Sequence, residues 1–124
     1  MIKKRLQEIK KAQRETLLLR ELSKLFLQLI LDDKELAGLN ISSVSLSPDK
    51  SMCTVFFYAP GGLDEFEAKL GRLILYKPSL RQALSKATAL RHTPNLVFKY
   101  DKYIEKQHRV EELLNQIKTE EEES

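Results

Sequence analysis

A chain of 124 residues can build one hydrophobic core but not two. It contains no apolar run of about 18 residues that could cross a bilayer, and its one cysteine, Cys53, excludes an internal disulfide or a cysteine-based metal cluster. The net charge of +3 understates the basic character of the body, because Glu120, Glu121, Glu122 and Glu123 crowd the last residues. Residues 1–118 are therefore expected to form a single domain and 119–124 an acidic, disordered tail, since a block of like charge with nothing apolar to bury repels itself. The start, Met1-Ile2-Lys3-Lys4-Arg5, lacks the apolar stretch of a secretory signal, so a cytoplasmic location is expected.

In chain order, residues 3–32 are predicted to be helical. Leu18, Leu22, Leu25 and Leu29, with Phe26 and Ile30 beside them, form an apolar stripe wide enough to lie on a sheet. LNISSVSLS, from Leu39, alternates apolar and polar residues in two frames offset at Ser42-Ser43, the pattern of a strand with a bulge. Ser47-Pro48-Asp49-Lys50-Ser51 should reverse the chain, and MCTVFFY, from Met52, should pair back with Cys53, Val55 and Phe57 on one face. Phe56, Phe57 and Phe98 are all expected in the core. Gly61-Gly62 is not a Walker-type phosphate loop, because Leu63-Asp64-Glu65 follows instead of Lys and Ser or Thr. Asp64 is instead expected to cap a helix that carries Phe66, Leu70, Leu73 and Ile74 inward.

At Tyr76-Lys77-Pro78 that helix should break, because proline lacks the N–H a continuing helix needs and its ring clashes with the preceding turn. Proline suits the first turn of a new helix, so a second segment is predicted to about Leu90, burying Leu80, Ala83, Leu84 and Ala87. Thr93-Pro94-Asn95 turns the chain into a third strand, Leu96 to Tyr100. A last helix, from Ile104 to about Lys118, is expected to close over the sheet edge or core with Val110, Leu113, Leu114 and Ile117. The fold class is thus α+β, a three-stranded sheet with helices on one face.

Between Ala68 and Tyr100 there are seven Lys or Arg residues and no Asp or Glu. A polyanion is the partner such a segment suggests. The cations assigned to it are Arg72, Lys77, Arg81, Lys86 and Arg91, together with Lys3, Lys10 and Arg14 along the first helix. A nucleophile–base pair, a pair of carboxylates in a pocket and a metal-ligand spacing are all missing from the pattern, and His92 and His108 supply no HxxxH. An enzyme, a cofactor and a metal are accordingly not expected.

The element order α-β-β-α-kink-α-β is that of the type II K-homology (KH) fold, an RNA-binding module. Several stretches resemble the ribosome-binding factor A family. They are Glu21-Leu22-Ser23 and Leu31-Asp32-Asp33 in the first helix, Ile41 to Asp49, Val55-Phe56-Phe57, and above all Leu90-Arg91-His92-Thr93-Pro94-Asn95-Leu96-Val97-Phe98-Lys99-Tyr100-Asp101. The resemblance implies a non-enzymatic factor that binds the small ribosomal subunit and its rRNA late in assembly, supports rRNA end processing and serves growth in the cold. It also implies a kink in place of the Gly-x-x-Gly loop of single-strand-reading KH domains. This chain has Tyr76-Lys77-Pro78 where the family typically has Ala-x-Gly, so the side chains of Tyr76, Lys77 and Arg81 are expected to make the local RNA contact. The competing reading is a generic basic KH-like domain for another RNA or a protein; in either case a monomer without membrane attachment is expected.

Overall fold

The computed structural model describes residues 2–123. Its elements are α1 (Ile2–Asp32), a 3-10 turn (Lys34–Leu36), β1 (Asn40–Leu46), β2 (Met52–Tyr58), α2 (Gly62–Leu75), α3 (Lys77–Thr88), β3 (Asn95–Tyr100) and α4 (Lys102–Glu123). The sheet order is β1-β2-β3. β1 and β2 form the expected antiparallel hairpin, with the register shift between Ile41 and Ser43 that the Ser42-Ser43 offset foretells. β3 lies parallel to β2, and a parallel neighbour requires a crossover, which α2 and α3 supply.

Side chains alternate along a strand, so Cys53, Val55 and Phe57 of β2 face the helices together with Leu96, Phe98 and Tyr100 of β3. Leu18, Leu22 and Phe26 of α1, Phe66 and Leu73 of α2, and Leu80 and Leu84 of α3 close over them. Phe57 is the hub, meeting Phe26 and Phe98 edge-on at 5.3 and 5.5 Å between centroids and stacking on Phe66 at 5.9 Å. The same alternation overturns the expectation for Phe56, which is half-buried on the sheet face opposite the helices and does not belong to the core. Ala87 and Ile74 are likewise exposed, because each lies beyond the edge of its helix's apolar stripe. Cys53 is buried, and burial, with the Glu15 carboxylate next, pushes its thiol up to about 11, far from thiolate chemistry.

Asp64 does not cap α2. The cap residue is Gly61, three residues earlier than expected, and its N–H donates to Glu65 Oε1 at 2.8 Å. Gly62 can open the helix because its φ of +78° suits a residue without a Cβ. α4 departs furthest from expectation. Asp101 starts it, its Oδ1 accepting from Ile104 N–H at 3.0 Å while Oδ2 accepts from Ser42 Oγ at 2.7 Å. Beyond its first turns the apolar stripe of α4 is open to solvent: Val110, Leu113, Leu114 and Ile117 are each more than half exposed. The helix also continues through Glu123, so 119–123 are helical where the charge pattern suggested a disordered tail; Ser124, the end of that tail, lies outside the described residues. Core space on the helical face of the sheet is already filled by α1, α2 and α3, which leaves no seat for a fourth helix there.

Candidate nucleic-acid interface

The two helices predicted to meet at Tyr76-Lys77-Pro78 do meet there. Tyr76, at φ −87° and ψ −3°, ends α2 and begins α3. Leu80 N–H donates to its carbonyl at 2.9 Å, and Pro78 sits in the first turn, where no N–H is required. A second device holds the joint. Asp33, only 7% exposed, accepts from Tyr76 Oη at 2.5 Å, from Arg72 Nε at 2.6 Å and from Glu35 N–H at 3.2 Å. Arg72 also pairs with Glu35 at 2.9 Å. The hydrogen bond from Arg72, then that from Tyr76, holds the Asp33 carboxyl below its ordinary value; the same contact raises both Arg72 and Tyr76.

Two of the residues expected at the RNA take part in this knot: Arg72 pairs with Asp33 and Glu35, and Tyr76 donates its hydroxyl to Asp33. Carboxylates absent from 68–100 arrive from elsewhere in the fold. Lys69 is taken in the same way by Glu65 at 2.8 Å and by the carbonyl of Ala37. The Lys77 Nζ lies 5.2 Å from the centroid of the Phe98 ring, within reach of a cation–π contact.

Of the remaining cations, Arg81 in α3 and Arg91 in the turn after it share one open surface. Arg81 Nη2 donates to Thr93 O at 3.0 Å, which orients the guanidinium over the turn between α3 and β3. An open cavity of about 490 Å³ runs from Pro78 at the kink past Arg81, Gln82 and Ser85 to Arg91, His92 and Thr93. A neighbouring cavity of about 410 Å³ shares Arg91 and His92 and adds Arg14 and Lys50. Ala89, left-handed at φ 52°, ends α3 and turns the chain toward Arg91. Asn95 N–H donates to Ser51 O at 2.9 Å, tying the start of β3 to the β1–β2 turn and so bringing Lys50 alongside Arg91. One carboxylate, Asp49, faces the second cavity, but its oxygen is occupied by Ser47 Oγ, Ser51 Oγ and Ser51 N–H, which hold it at about 2.

Arg14, Arg81 and Arg91 are thus brought together from the predicted set. Lys86 is exposed in the last turn of α3, and Lys3 and Lys10 stand on the exposed first turns of α1. Lys50 was missed. No local signal marks it, because its neighbourhood with Arg91 depends on the parallel pairing of β3 with β2. Chemically, the arrangement offers guanidinium and ammonium groups on an open surface, with Gln82, Ser85 and Thr93 as neutral hydrogen-bonding groups between them, a composition suited to a phosphate backbone.

Comparison with known proteins agrees with this architecture. A family described as Ribosome-binding factor A matches residues 10–114. The ribosome-binding factor A of Brevibacillus brevis is 36% identical over 101 residues, covering 82% of this chain and 83% of the relative. The crystal structure of ribosome-binding factor A from Thermus thermophilus superposes with a TM-score of 0.63 at 30% identity, covering 73% of this chain and 94% of that one. A homology model of the Thermus thermophilus factor, fitted into the cryo-EM map of a 30S complex, gives 0.51 at 28% identity over 73% of this chain and 89% of that one. With a three-stranded mixed sheet, a kinked helix pair and a family match across the body, the chain belongs to the ribosome-binding factor A family.

Proposed function

We propose that this protein is an assembly factor of the small ribosomal subunit. It binds the subunit through rRNA late in maturation, supports processing of the rRNA ends, serves growth in the cold, and works in the cytoplasm without catalysis. Family membership supports the ribosomal partner, and the relative fitted into a 30S complex supports the small subunit. The observation that carries the RNA contact is the convergence of Arg14, Lys50, Arg81 and Arg91 around two adjoining cavities. Lys77 and Lys86 extend that surface along α3, and Lys3 and Lys10 along α1. The contact is to backbone and shape more than to base sequence, since the Gly-x-x-Gly loop that clamps single strands in KH domains is replaced by a proline-marked joint.

The test is co-sedimentation with purified small subunits across a salt series. Binding should weaken steeply with salt, by about one unit of log–log slope for each phosphate neutralised. A variant with Arg14, Arg81 and Arg91 replaced by Ala should bind weakly and with a shallower slope. Subunit binding that ignores salt, or that the triple variant keeps, sinks the RNA contact. Absence of binding at low salt sinks the ribosomal reading and leaves a basic KH-like domain for another partner.

A further inference from the structure

Another cavity, which shares no lining residue with the two basic ones, opens where the loop before α2 meets the first turns of α4. It holds about 270 Å³ and is lined by the loop at 59–62 together with Tyr58, Tyr100, Glu105, His108, Arg109 and Glu112. The last four fall on one face of α4, at the helical spacing of three and four. A Cβ built on Gly62 would stand 3.5 Å from Glu105 Oε1, so the loop runs against the helix there.

Three rings stack along this wall. Tyr100 and Tyr58 lie 6.5 Å apart with planes 21° from parallel, and Tyr58 and His108 lie 4.6 Å apart at 18°. Tyr100 is buried and His108 exposed, so the stack runs from the core to the surface. The Tyr100 hydroxyl is the one buried side-chain polar atom, among the described residues, without a hydrogen-bond partner. Burial, then the Glu105 carboxylate, raises it above the ordinary tyrosine value, so it keeps its proton at neutral pH.

Arg109 Nη2 donates to Glu105 Oε1 at 3.0 Å, and Glu112 adds a second carboxylate. The cavity therefore lacks the positive excess that would hold a phosphate. What suits it is an uncharged planar group that stacks on a ring and is hydrogen-bonded at its edge, the two features by which proteins hold unpaired nucleobases. Glu112 is exposed, and a carboxylate only accepts, so its two oxygens are best met by two adjacent donors. Of the four RNA bases guanine alone presents that pair, N1–H beside the N2 amino group. Its O6 is an acceptor of the kind that Arg109 or the Tyr100 hydroxyl can serve.

We propose that this cavity takes an unpaired guanine of an RNA strand, stacked on His108, with its N1–H and N2 amino group donating to the Glu112 carboxylate. The inference rests on the RNA-binding role proposed above and adds one point of base selection to a contact otherwise made with backbone and shape.

Fluorescence anisotropy of the full chain with short labelled oligouridines tests this at low salt. One carries a single central guanosine, and others carry adenosine or inosine in its place. The guanosine strand should bind about tenfold tighter than plain oligouridine, within the range of a good two-point edge contact. Adenosine controls for purine stacking and should gain little; inosine lacks the N2 amino group and should fall between. Glu112→Gln should abolish the preference for guanosine. His108→Ala should weaken binding of the guanosine strand with an unchanged thermal midpoint, and Tyr100→Phe should weaken it severalfold without lowering that midpoint. Replacing Arg14, Arg81 and Arg91 by Ala should weaken all the strands alike and keep the ratio between them. Failure of the ribosomal reading would thus show with purified subunits, and failure of this site in the ratio alone. No preference for guanosine in the wild type, or a preference that survives Glu112→Gln or His108→Ala, overturns the proposal.

Discussion

At the scale of single residues, three aspartates organise the chain through hydrogen bonds within it. Asp33 ties the kink to the end of α1, Asp49 knots the hairpin turn and Asp101 joins the start of α4 to the bulge at Ser42. Each belongs to a stretch that carries the family resemblance, so much of that resemblance is hydrogen-bonding architecture. Asp33 and Asp49 are held below the ordinary carboxylate value of 3.8, Asp49 at about 2. A depressed folded-state value adds stability that is present above the unfolded value and is lost as pH falls through the folded one. Acid titration should therefore destabilise the protein between pH 3.8 and about 2, and Asp49→Asn should flatten that loss when urea midpoints are measured against pH. Arg72 separates structure from binding at the same scale. Arg72→Ala should lower the thermal midpoint, by leaving Asp33 short of a partner, yet leave the salt slope of subunit binding unchanged; Arg91→Ala should do the reverse.

At the scale of elements, α3 and α4 are both amphipathic, but they have opposite fates. Leu84 is fully buried against α1 and the sheet, whereas Leu113 is more than half exposed. Leu84→Ala should cost about 2–5 kcal/mol through lost burial and a residual cavity. Leu113→Ala should change monomer stability by less than about 0.5 kcal/mol. Urea denaturation at low protein concentration checks both, and a large loss at Leu113 would mean that α4 packs on the body after all. The joint between α2 and α3 is over-determined, with Pro78 shaping the first turn and the Asp33 bond to Tyr76 holding the corner. Pro78→Ala should therefore keep the fold and cost only about 0.4–1 kcal/mol, chiefly by loosening the unfolded chain.

For the whole molecule, charge is sorted by the fold into regions that the net value of +3 conceals. One end carries Arg14, Lys50, Arg81 and Arg91 around shared cavities, and α4 carries an excess of glutamate. Lys50 gives the sharpest whole-molecule prediction. Lys50→Ala, at a tip with no role in the core, should reduce the salt slope of subunit binding by about one unit, as loss of a phosphate contact does, and Lys34→Ala should leave it alone.

The order of elements, the bulge at Ser42, the break at Pro78 and the inward face of β2 were legible in the sequence because each follows from a local rule. Those rules are strand alternation, proline's missing N–H and the helical spacing of leucines. Only the tertiary structure decided which charges are free. Asp33 reaches Arg72 across 39 positions and Lys50 reaches Arg91 through a parallel strand pairing, so no window of sequence contains either encounter. It also decided that Phe56 lies outside the core and that the α4 stripe is uncovered. Periodicity states that a face is apolar, but whether that face is buried depends on how much of the sheet the other helices have already covered.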